Sequence, residues 1–163
     1  MKYLFSAFIV ILFLSFSQKK DSRYLGIQPW DKNPRYWEYK GKPVLLLGAT
    51  DNDNLFQNDN LKLHLDSLRM FGGNYVRNTM SDRDPGNKRA FAEITPGKYD
   101  LDKWNPDYWQ RFENLLRLAR ERDIIVQIEI WDRFDHSRDS WLGDPFNPKN
   151  NINYTYTEAS LDS

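Results

Sequence analysis

Apolar positions along the chain alternate between short continuous runs and helical stripes. Residues 44–47, "VLLL", form an unbroken apolar run, the pattern of a strand covered on both faces, and predict a strand over 44–50. An extended segment at 36–39 and a Lys40-Gly41 turn precede it, and Pro43 suits a strand's first position, where a missing N–H is tolerated. Leu61, Leu65 and Leu68 then recur at four- and three-residue spacing behind an asparagine-rich cap at 58–60. Gly72-Gly73 supplies the stop, so a helix is expected between them. A short strand is expected at 74–79, followed by a polar insertion over 80–104. Asn105-Pro106 reads as a cap and first-turn proline, with Asp107 favourable to the helix dipole. Trp109, Phe112, Leu115, Leu116 and Ala119 share one face of the helix that follows. A third strand is expected at 124–131, "IIVQIEIW", and the chain beyond residue 137 is loop-like. The order β-α-β-α-β with short α-to-β links predicts an α/β protein with a parallel sheet and right-handed crossovers.

Strand alternation sorts the polar residues. Val126, Ile128 and Ile130 fall on one face of the third strand, and Gln127, Glu129 and Trp131 on the other. In the second strand Tyr75, Arg77 and Thr79 alternate with Asn74, Val76 and Asn78. Arg77 and Glu129 are therefore expected to meet on one face, because charges buried on neighbouring strands need partners. Such a pair either is purely structural or orients a site. The strand tips are polar throughout: Asp51, Asn52, Asp53 and Asn54; Asn78, Ser81, Asp82, Arg83 and Asp84; Asp132, Arg133, Asp135 and His136. The first of these is no calcium loop, since an EF-hand starting at Asp51 would need Gly and Glu where Phe56 and Lys62 stand. His136 and the distant His64 are too few for a zinc site. Trp131 and Trp141 flank the third tip, where an aromatic face either stacks on a sugar ring or packs the loop. Trp109 reads as core.

Composition adds limits. With 23 basic and 23 acidic residues the formal net charge is zero, which gives no electrostatic case for nucleic acid or an anionic membrane as partner. The chain has no cysteine, which excludes disulfides and thiolate metal sites. Lys2 precedes an uncharged apolar run at 3–17 ending in Ser15-Phe16-Ser17, the pattern of a secretory signal peptide cleaved after Ser17. The run is short for a membrane span, an uncleaved anchor being the alternative. The mature chain is expected to be secreted or periplasmic, with a polar lead-in at 18–33 and one domain over 34–163.

The segments "YWEYKGKPVLLLGAT", "GGNYVRNTM" and "YDLDKWNPDYWQRFENLLRLARERDIIVQIEIWD", with "WLGDPFNPKNNINY" after them, carry a resemblance through their order and spacing. Over roughly residues 33–155 the chain resembles the start of cellulase-like (β/α)8 glycoside hydrolases, including the apiosidase-like and putative collagen-binding secreted bacterial branches. The resemblance implies a TIM barrel of which this chain holds the N-terminal portion, about three βα units. It also implies a carbohydrate substrate, and two catalytic carboxylates about 5–5.5 Å apart in the retaining case. In that clan the acid/base Glu follows an Asn at the end of the fourth strand, and the nucleophile ends a later one. No Asn-Glu dipeptide occurs here, so no catalytic residue is assigned. By the same resemblance Arg77 matches the arginine that ends the second strand and supports the nucleophile. A full barrel takes about 250 residues, so a truncated enzyme is expected, the alternative being an intact small α/β protein that closes its sheet by oligomerising. The residues expected to bind substrate or support the site are Asp51, Asp53, Arg77, Asn78, Glu129, Trp131, Asp132 and His136. No metal or cofactor is expected. The rival function is a non-catalytic carbohydrate- or protein-binding module.

Overall fold

The computed structural model describes residues 26–154, so the expected signal peptide at 1–17 lies outside the described residues. The chain divides into two compact units, Met1–Leu45 and Leu46–Ser163. The first contains a three-stranded antiparallel meander of β1 (Ile27–Trp30), β2 (Asn33–Tyr39) and β3 (Lys42–Val44). Lys40 (φ 51) and Gly41 (φ 76) form the two-residue corner between β2 and β3. Positive φ at both corner residues is what a type I′ turn needs, and glycine adopts it without strain. Gln28 donates to Glu38 across β1 and β2 at 3.1 Å.

The second unit holds the helices. Helix α1 (Leu61–Met70) starts where the asparagine cluster predicts, with the Asn58 side chain accepting from the Asn60 N–H at 2.8 Å. It ends at the glycine pair, Gly73 N–H reaching back to the Leu68 carbonyl at 2.9 Å. Helix α2 (Pro106–Glu121) carries the expected cap: the Asn105 side chain accepts from Asp107 N–H at 3.1 Å and Pro106 opens the first turn. Asp66 of α1 accepts from Arg122 just past α2 at 2.7 Å and from Lys62 at 2.8 Å. These two hydrogen bonds lower its pKa to about 2.

Strands β4 (Tyr75–Thr79) and β7 (Ile125–Glu129) pair in parallel, Tyr75 opposite Ile125 and Thr79 opposite Glu129. Their helix-facing side and the helices enclose a core of Leu55, Phe56, Leu61, Leu65, Val76 and Leu115, with Tyr108 and Leu118 beside them. Between β4 and α2 the chain forms an antiparallel hairpin, β5 (Phe91–Thr95) and β6 (Lys98–Trp104), turning at Pro96-Gly97. The second half of the polar insertion expected at 80–104 is thus a hairpin.

The barrel expectation is overturned. A barrel requires an unbroken circle of paired strands, whereas the described residues form three separate sheets: the antiparallel meander, the parallel β4–β7 pair, and the antiparallel β5–β6 hairpin. The first predicted strand, 44–50, is also corrected. Val44 ends an antiparallel strand, Leu45 and Leu47 are half or more exposed, and beyond them a lone bridge joins Gly48 to Tyr75. Two hydrogen bonds reinforce that contact, Asn74 N–H to the Leu47 carbonyl and Leu47 N–H to the Asn74 side chain, both 2.8 Å. The α/β alternation survives as one βαβ unit, β4–α2–β7, with the segment at 46–49 running beside β4. Likewise, the aperiodic reading of 18–33 gave no hint of β1.

Gly48 permits that approach: a Cβ there would lie 1.8 Å from the Tyr75 carbonyl oxygen, inside backbone that cannot rotate away. Gly48→Ala is expected to destabilise the protein by about 1–3 kcal/mol, the range for forced overpacking. Urea unfolding of the variant checks this, and an unchanged midpoint would show that the 46–49 segment moves freely off β4.

Candidate functional site

Two clusters gather near the carboxyl ends of β4 and β7. The first lies on the face shared by Tyr75, Arg77 and Thr79 of β4 and Gln127 and Glu129 of β7. Arg77 stands between two carboxylates, 2.6 Å from Asp53 and 3.5 Å from Glu129, so the pair anticipated from alternation does form. Thr79 Oγ1 donates to Glu129 at 2.9 Å and the Tyr75 hydroxyl to Gln127 at 2.5 Å, which ties the two strands at three levels. Asp53 reaches this face because its carbonyl accepts from Thr79 N–H at 2.8 Å, fastening the first loop to the tip of β4.

Arg83 extends the cluster. Its guanidinium contacts Asp53 at 3.2 Å, Asp132 at 2.9 Å and Asp135 at 2.5 Å, so one cation joins the loops after all three expected strands. Burial works against its charge, but the hydrogen bonds it donates to Asp135 and Asp132 outweigh that and hold its pKa above the ordinary arginine value. For Asp135 the balance is reversed: burial pushes its carboxyl above the usual range in spite of Arg83. Asp132 also caps the following turn, its other oxygen accepting from Phe134 N–H at 2.9 Å.

The second cluster is an aromatic cavity of about 580 Å³. The hairpin contributes Phe91 and Trp104, stacked with ring centroids 5.3 Å apart, and α2 contributes Trp109, edge-on to Trp104 at 5.0 Å. Opposite them Trp131 lies flat on His136, centroids 3.8 Å apart, with Phe146 edge-on to His136. His136 Nδ1 is 2.6 Å from the carboxylate of Asp144, which is buried and also accepts from Phe146 N–H at 2.7 Å. That contact fixes the plane of the imidazole and so of the tryptophan resting on it. Three carboxylates line the cavity, Asp82, Asp135 and Asp144, and among the described residues no lysine or arginine does. Asp82 is anchored by Arg89 at 2.7 Å and by Ala90 N–H at 3.1 Å.

Asparagines hold the last loop in place. Leu101 N–H donates to the Asn153 side chain at 2.8 Å, Tyr99 N–H to the Asn150 carbonyl, and Ile152 N–H to the Tyr99 carbonyl, so residues 150–153 lie along β6. Asn151 donates to the Pro145 and Asn147 carbonyls at 2.9 and 3.0 Å. The polar composition of this stretch thus consists of short side chains satisfying the backbone of an irregular segment.

Of the expected site residues, Asp53, Arg77, Glu129 and Asp132 belong to the charged cluster, and Trp131 and His136 to the cavity. Trp131 lines the cavity together with Ile128 and Ile130 and does not share Glu129's face as alternation predicts, because β7 ends at Glu129. Asp51 lies in neither cluster; it accepts from Asn58 at 2.8 Å and is 3.8 Å from His64, closing its own loop. Asn78 points to the helix side, fully buried, where its carbonyl oxygen accepts from Phe56 N–H at 2.9 Å. Trp141 opens no part of the cavity and sits in the short helix α3 (Arg138–Trp141). Sequence reasoning left Arg83, Asp135, Asp144 and the hairpin aromatics out of the site. Arg83 and Asp135 stand among the polar strand tips, but nothing local signals that Asp144 is His136's partner. No group of three or more His, Asp or Glu among the described residues is placed to hold a metal ion, and no described helix is long and apolar enough to cross a membrane. Compared with models of known protein families, with curated proteins and with solved structures, the chain matches none of them.

Proposed function

We propose that this chain is an exported carbohydrate-recognising protein of the glycoside hydrolase kind, in which the described residues bind sugar rather than transfer protons. The observation that carries the reading is the cavity. Its volume lies in the range of small-molecule sites, and flat aromatic faces alternate in it with carboxylates that accept hydrogen bonds. Such faces bury the apolar C–H side of a sugar ring, and the carboxylates take its hydroxyl donors. The resemblance to glycoside hydrolases supports the same ligand class, and the apolar run at 3–17 supports export.

These residues bind without transferring protons for a chemical reason. Glycoside hydrolysis needs one carboxylic acid kept protonated and a second carboxylate free to act. Asp53, Glu129 and Asp132 each touch an arginine, and Asp135, whose pKa is raised, is held by one as well. Titrating the folded chain with a panel of plant and microbial oligosaccharides, followed by tryptophan fluorescence and calorimetry, tests the reading. Saturable binding is expected, and Trp131→Ala should weaken it about tenfold, equivalent to about 1.4 kcal/mol. The reading fails if the folded protein binds no member of the panel, or if Trp131→Ala binds as well as the parent.

A further inference from the structure

We propose that the cavity selects uncharged sugars over uronic acids, and that Asp135 is the residue that sets this preference. The inference rests on the carbohydrate reading above and goes one step further, to the charge class of the ligand. The cavity's charged lining is Asp82, Asp135 and Asp144, with His136 against Asp144, while Arg83 and Arg89, which pair with Asp135 and Asp82, do not line the cavity themselves. A ligand therefore meets acceptors and ring faces. Hydroxyl groups, which donate, are matched to that surface; a sugar carboxylate would face like charge with no arginine or lysine to answer it.

Asp135 is the decisive acceptor for reasons of attachment. Both oxygens of Asp82 and of Asp144 already accept from the protein: Arg89 and Ala90 N–H for the first, His136 and Phe146 N–H for the second. Asp135 is instead held by side chains, at Oδ1 by Arg83 and by the Ser81 hydroxyl, and not by a backbone N–H. Its side chain is only 8% exposed, so its surroundings screen charge weakly and a like charge brought beside it is poorly tolerated. Burial already opposes its ionisation, in keeping with such surroundings.

The experiment compares neutral oligosaccharides with uronic-acid oligosaccharides of equal length on the full chain by calorimetry. The parent should bind the neutral member at least tenfold more tightly, and methyl esterification of the uronate, which removes its charge, should restore most of the lost affinity. Asp135→Asn, which keeps an oxygen for Arg83 while adding an amide donor, should narrow the ratio several-fold. The ester comparison uses the parent protein alone and so stands even if the variant does not fold. Equal or tighter binding of the uronate, an ester no better than the acid, or an unchanged ratio in a folded Asp135→Asn each overturn the inference while leaving carbohydrate recognition intact. Binding of neither class overturns both.

Discussion

Phe56→Ala is expected to destabilise the protein by about 3–5 kcal/mol, the range for truncating a buried aromatic side chain. Phe56 is 1% exposed and sits in the short turn of Leu55–Gln57 that leads into α1. Its ring is edge-on to Tyr108 at 4.9 Å and to Phe112 at 6.0 Å, so it joins the first loop to α2 in the centre of the core. The surroundings cannot collapse readily into the space it would leave. Tyr108 is pinned by its hydroxyl, which donates to the Met80 carbonyl at 2.8 Å, and the Phe56 backbone is held by Asn78. Phe56→Leu keeps most of the volume and should lose far less. Equilibrium unfolding in urea would read both, and a loss below about 1 kcal/mol for the alanine variant would mean that this core repacks with ease.

Arg83→Met should have the next largest effect, about 2–4 kcal/mol, because removing the cation leaves Asp132 and Asp135 close together without their arginine, and Asp53 with Arg77 alone. The effect extends beyond stability. Asp135 lines the cavity and Asp132 caps the turn that carries His136, so the cavity should loosen and sugar binding should fall further than the melting temperature alone suggests. Arg83→Lys should rescue only part, since one ammonium cannot reproduce a planar fork that engages three carboxylates. Replacing Asp135 by asparagine in the Met variant should recover some stability by removing one of the repelling charges. If Arg83→Met unfolds at the same denaturant concentration as the parent, the cluster is not a keystone of the fold.

The parts legible in the sequence were those governed by neighbours a few residues apart. Asn105-Pro106-Asp107 specifies a helix start by chemistry contained in three residues, and Gly72-Gly73 specifies a stop in two. The approach of Arg77 and Glu129 followed from alternation alone, once the two strands were taken as parallel neighbours. Alternation misled at Trp131, where it was carried two residues past the strand's end. The run at 44–47 misled for another reason: continuous apolarity says a segment can be buried, but Leu45 and Leu47 stay exposed among the described residues. The β5–β6 hairpin was hidden by charge. Its strands hold Glu93, Lys98, Asp100, Asp102 and Lys103, yet Pro96-Gly97 between two such runs is a turn signal. The partnership of Asp144 with His136 was not legible at all, because it depends on how an irregular loop folds back across eight residues. A barrel is a property of closure, which no local pattern encodes.

The spacing of the contacts that build the two clusters has a consequence in time. Tyr75 pairs with Ile125, Thr79 with Glu129, Arg83 with Asp135 and Leu101 with Asn153, each spanning 50 to 52 residues. Helix α2 and the β5–β6 hairpin need only near neighbours and can form early, whereas every one of these links must close a long loop before it gains anything. On a growing chain, none of them can be made until the residues around 125–153 have been synthesised. The cavity should therefore be the last part of the molecule to assemble and the first to open, and ligand present during refolding should act on that final step.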